Sequence, residues 1–78
     1  MNELNEKNEK ILKNANENDI PIFVFTAKDD LSTDQLENYL IDCIDNGCTP
    51  EHITSVVLKL QEFKNWQDVN NDSVKLPD

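Results

Sequence analysis

Cys43, Cys48 and His52 stand in the pattern C-x4-C-x3-H, residue types that serve metal centres and thiol nucleophiles. A structural zinc site takes four ligands, and the chain holds one His and two Cys in all. A reactive thiol needs a cation or a helix N-terminus to favour its thiolate, and here the surrounding charges are carboxylates. The acidic clusters Asp29-Asp30 and Asp42/Asp45-Asn46-Gly47 lack the alternating oxygen ligands and closing Glu of a calcium loop. One glycine cannot build a phosphate-cradling loop, and so short a chain can hardly enclose a cleft for paired carboxylates. The sequence therefore implies a protein that is not an enzyme and carries no cofactor or metal. Its thiols are expected to be small apolar fillers.

A weaker pattern points to an anion. Two helix starts, at Ser32-Thr33 and at Thr49, offer free amide donors. Lys28 and Asp29 just ahead of the first, with Lys59, Lys64 and the rings of Tyr39 and Trp66, would supply charge and stacking for a small nucleotide-like ligand. Within one chain the simpler reading is that each cap is satisfied by its own side chain.

The formal net charge is −9, and all seven basic residues are Lys. Between Glu17 and Glu51, nine acids face Lys28 alone, a net of −8. Without Arg there is no bidentate fork for phosphates or base edges, so direct nucleic-acid binding is not expected. The acidic surface is either solvation or a face for a basic protein partner. No leader of the secretory kind opens the sequence, no apolar run is long enough for a bilayer, and both cysteines read as free thiols, so the expected setting is cytoplasmic, with no membrane partner.

Two parts must position these residues. Residues 1–18 form an Asn/Glu/Lys-rich arm, partly helical or disordered. Glu3–Lys7, Glu6–Lys10 and Glu9–Lys13 are i,i+4 pairs worth about 0.2–0.5 kcal/mol each, and Leu4, Ile11 and Ala15 line a thin seam with Leu12 beside it. Residues 19–78 read as a small α+β domain, predominantly helical. A strand is expected from Ile20 or Ile22 to Ala27. A helix follows, with Ser32 as N-cap, Gln35 closing a capping box, and Leu31 and Leu36 as a staple. Its buried face is Leu36, Tyr39, Leu40, Cys43 and Ile44, and Gly47 ends it. Thr49-Pro50-Glu51 start a second helix whose face is Ile53, Val56, Val57, Leu60 and Phe63. The two make an antiparallel helical hairpin, and Ser73–Leu76 is expected to be a short C-terminal strand.

The run IPIFVFTA, residues 20–27, is apolar on both faces, and a lone strand would leave its edges unpaired. Together with Leu58 and Trp66, which fall off the second helix's buried face, it predicts a homo-oligomer. Ile22, Phe23, Val24, Phe25, Leu58 and Trp66 would form the interface.

PIFVFTAKD (Pro21 to Asp29), the Gly47 turn between two helices, Trp66 and KLPD (Lys75 to Asp78) resemble small uncharacterised phage and prophage accessory proteins. The resemblance covers roughly the last sixty residues. It implies a non-enzymatic, sequestering antagonist of host antiviral defence, acting on a host protein or on a nucleotide-type signal held between subunits. Two other classes stand beside it: an acidic nucleic-acid mimic that blocks a DNA-binding protein, and a purely structural or assembly module.

The ligand shortage generates a direct expectation. Metal analysis of the purified protein should return no stoichiometric zinc, and chelator or reductant should leave its melting temperature unchanged; a large drop under either overturns it.

Overall fold

A computed structural model describes residues 3–77, with side chains from Glu6 onward. Met1, Asn2 and Asp78, and with them the Glu3–Lys7 pair and the Leu4 side chain of the predicted seam, lie outside the described residues. The described chain is three helices and one 3-10 turn: α1 (Glu3–Glu17), α2 (Ser32–Asp45), α3 (Pro50–Val69) and the turn Asn71–Ser73. No helix among the described residues is long and apolar enough to cross a membrane.

Helices α2 and α3 fold back on each other as a hairpin. The turn between them is set by Gly47, whose φ of +71° suits a residue without Cβ. The Cys48 N–H donates to the Cys43 carbonyl at 3.0 Å and the Gly47 N–H to that of Ile44 at 3.3 Å, the paired bonds of a Schellman motif. Cys43 and Cys48 thus occupy the two positions where an apolar contact usually accompanies that motif. Helix α3 then starts as its sequence demands. Thr49 Oγ1 accepts from the His52 N–H at 3.2 Å, and Pro50 opens the first turn. Helix α1 ends by the same device as α2. Asp19 takes the left-handed conformation at φ +52°, and the Ile20 N–H reaches the Ala15 carbonyl at 2.9 Å.

Among the described residues there is no strand, and the α+β expectation gives way to an all-helical fold. Residues 20–26 carry no regular structure, bounded by the Asp19 kink and by a turn in which the Asp29 N–H bonds the Thr26 carbonyl at 3.0 Å. A strand needs a ladder partner. The C-terminal segment supplies none, because Asn71–Ser73 wind into a 3-10 turn and Lys75 makes one isolated parallel bridge to Asp29. Its bonds are Lys75 N–H to Lys28 C=O at 3.0 Å and Asp30 N–H to Lys75 C=O at 2.9 Å.

The capping box is also corrected. Ser32 is the first helical residue, fully buried, and its hydroxyl donates to the Asp29 carbonyl at 2.7 Å. No side chain caps α2; Asp29 Oδ1 instead takes the Leu31 N–H at 2.8 Å in the turn just ahead of it. Gln35 uses its N–H in an ordinary helical bond to the Leu31 carbonyl. Gln67 of α3 closes this knot, donating to the Ala27 carbonyl at 3.0 Å with Asp29 O and Ser32 Oγ each at 3.4 Å.

The interior is thin. Ala15, Cys43, Val56 and Leu60 are the buried apolar residues among those described. Of the predicted α2 face, Leu36 and Leu40 are half-buried, whereas Tyr39 and Ile44 lie largely in solvent. Ala15 docks α1, and neither Glu6–Lys10 nor Glu9–Lys13 closes to ion-pair distance, since the described pairs are Lys59–Glu62 and Lys64–Glu37.

The knot predicts an unusual response at Ser32. Ser32→Ala should lower stability by about 1–3 kcal/mol, the cost of stranding a buried polar partner. Ser32→Asp, which would rescue an ordinary N-cap, should be worse, because a carboxylate there cannot donate to the Asp29 carbonyl. Urea melts of both variants decide it. An Asp variant as stable as wild type would restore the simple cap.

Candidate binding groove

Some of the exposed apolar residues gather in one place. Ile22, Phe23, Val24 and Phe25 border a groove of about 650 Å³ whose other walls are Ile11 and Leu12 of α1, Leu36 of α2 and Phe63 of α3. Phe25 anchors the segment by an edge-to-face contact with Phe63, with ring centres 6.3 Å apart. Phe23 leans on Phe25 at 6.2 Å but remains 86% exposed. Among the described residues, Lys59 is the one charged residue lining the groove, and its Nζ pairs with Glu62 at 3.1 Å. Helix α1 forms its wall with side chains it leaves half in solvent, Ile11 being 53% exposed. The groove is apolar, electrically quiet and open.

The residues singled out for an anion do not converge there. Of that set only Lys59 reaches the groove. Lys64 pairs with Glu37 at 2.7 Å, which links α3 to α2 across the surface. Lys28 enters the Lys75 bridge through its backbone, Asp29 bonds the Leu31 N–H, and Ser32 is sealed in the knot. Thr33 is half-buried in the first turn of α2, and Trp66 is half-buried on α3. At the start of α2, Asp29 takes the Leu31 N–H with its carboxylate and the Ser32 N–H with its carbonyl. Of the predicted interface residues, Ile22, Val24 and Leu58 are 47–62% exposed, and Leu58 and Trp66 do not line the groove.

Tyr39, Cys43, Cys48 and His52 form a second cluster at the hairpin turn. The Tyr39 hydroxyl and His52 Nε2 are 2.9 Å apart, with the rings edge to face. The Cys43 thiol, with a smaller contribution from burial, pushes the Tyr39 hydroxyl above its ordinary value. The same thiol and burial raise Cys48. A raised pKa makes Cys48 a poorer nucleophile at neutral pH, the reverse of what thiol catalysis needs. Among the described residues no three His, Cys, Asp or Glu side chains group to hold a metal.

The groove was only half visible in the sequence. The run of residues 20–27 announced exposed apolar surface, but its walls come from positions 11, 12, 36 and 63, which share no local pattern. No family model, no curated protein and no solved structure matches the chain.

The hairpin cluster fixes the sign of a pH effect. Cys48 and Tyr39 hold their protons more tightly folded than unfolded, so their contribution is complete below the ordinary thiol value of 9.0. It declines as pH rises through that value and then through 10.0, where a free tyrosine ionises. Melting temperatures measured on either side of these values should fall. In the double variant Cys48→Ala/Tyr39→Phe the fall should be shallower, and an identical slope in both proteins would discount the cluster.

Proposed function

We propose that the chain is a non-enzymatic binding protein that captures and sequesters a partner protein at the groove between α1, residues 20–27 and α3. One observation carries this reading: an apolar segment, up to 86% exposed at Phe23, lies along an apolar groove of about 650 Å³. Exposed apolar surface is costly to keep and, when contiguous, usually marks a contact surface. The strongly acidic flank, with its net of −8 from Glu17 to Glu51, supports a basic partner. Against a nucleotide, Lys59 and Lys64 are already engaged with Glu62 and Glu37. The likeness to phage accessory proteins suggests the setting, antagonism of a host defence protein.

The test is comparative. Proteins retained from a host lysate by wild type but not by Phe23→Asp are purified and titrated back against the pure chain. The expected result is a stoichiometric complex that Phe23→Asp weakens about tenfold or more, as loss of a central aromatic anchor does, with its helical circular dichroism unchanged. Equal binding by both proteins, or a Trp66 fluorescence response to nucleotides that Phe23→Asp leaves intact, would refute capture at the groove.

A further inference from the structure

The segment beside the groove is bare in its backbone as well as its side chains. Among the described residues, no hydrogen bond reaches an N–H of Ile22, Phe23, Val24 or Phe25 or a carbonyl from Pro21 to Phe25. Its two ends are nonetheless pinned. The Ile20 N–H is held by the Ala15 carbonyl, and the Thr26 and Ala27 carbonyls are held by the Asp29 N–H and by Gln67. The middle is thus a row of free donors and acceptors built of Ile, Phe, Val and Phe, residue types that favour a strand. Water satisfies those groups while the groove is open. Any occupant that covers them must supply hydrogen bonds or bury them unpaired.

That requirement discriminates among occupants. An apolar helix spends its own N–H and C=O groups internally and would strand those of Ile22–Phe25. An extended chain has matching groups to offer. Charge selects further. In sequence the segment is bordered by Asp19 and by Asp29-Asp30, the chain carries −9 overall, and Lys59 in the groove is paired with Glu62, so charge favours an occupant with cationic ends. A second copy would itself carry a net −9, which disfavours its close approach.

Resting on the capture reading above, we propose that the occupant is an extended segment of the partner protein, apolar at alternate positions and flanked by Lys or Arg. It pairs its main chain with residues 22–25 and turns its apolar side chains toward Phe25, Phe63 and Leu36. Pro21, which has no N–H, marks the end of the pairing.

The probe is a displayed library of random twelve-residue peptides, selected on the immobilised full chain and counter-selected on Phe23→Asp, with Val24→Asp as a second control. The expected consensus alternates apolar and polar residues between basic ends. A synthetic copy of the winner should slow amide exchange at Ile22–Phe25 and bind at least tenfold more weakly in high salt. N-methylation along one edge of that peptide should weaken it tenfold or more, while methylation along the other should have little effect. A winner with helical i,i+3,i+4 spacing, or one indifferent to methylation on both edges, overturns the strand and leaves groove capture standing. Sedimentation that shows the wild type self-associating through Phe23 assigns the edge to a second copy and overturns the proposal. Failure to enrich any peptide, beside a confirmed complex with a purified partner, overturns the strand alone; failure of both overturns the capture reading too.

Discussion

The fold depends on one buried knot of polar atoms. Ser32 is the fully buried polar side chain among the described residues, and it sits where three segments meet. Its hydroxyl donates to the Asp29 carbonyl, the Asp29 carboxylate takes the Leu31 N–H, and Gln67 reaches across from α3. The flanking Lys28 and Asp30 backbones bond Lys75. The start of α2, the last turn of α3, the loop before α2 and the C-terminal segment are therefore coupled through a few atoms around the buried Ser32 hydroxyl. Such a network rigidifies when complete and is costly when one member is lost.

The knot matters because the apolar core is small. Four buried apolar residues cannot hold a chain of this length as firmly as a conventional core, and small domains are marginal for this reason. Surface pairs add little: Lys64–Glu37 is about half exposed at both ends, where an ion pair contributes roughly 0–1 kcal/mol. Local chain chemistry carries much of the remainder. Gly47, Asp19 and Thr49 each settle orphan helix-end groups, so the helices are defined at their ends more sharply than along their faces.

What was legible in the sequence follows the same division. Thr49-Pro50 and Asn46-Gly47 were readable because a cap is a local event, decided by two or three adjacent residues. Ser32 looked like another cap, but its hydroxyl donates back to the Asp29 carbonyl, and Gln67, thirty-five residues away, donates to it. The break of the first helix at Asn16–Asp19 was readable, but not the left-handed conformation of Asp19, since a non-glycine residue seldom adopts it. The strand was misread for a related reason. Ile22–Phe25 have the right residue types, but a strand is a relation between two segments, and the chain commits Ser73–Lys75 elsewhere. The groove was illegible for the same cause, since four separate elements build it.

The misread strand and the groove are two views of one frustration. Local preference asks residues 22–25 for a ladder, whereas the tertiary fold leaves them without a neighbour. Evolution usually blunts such an edge with charge, and here the segment carries none from Ile20 to Ala27. The nearest charges in sequence are Asp19 before it and Asp29-Asp30 after it, which would favour a cationic partner over a further acidic copy. Binding such a partner would relieve the local conflict, cover Phe23 and add the association free energy to a marginal fold. Partner selection and resistance to self-association would then rest on the same acidic residues, so neutralising them to tighten the free protein would weaken both.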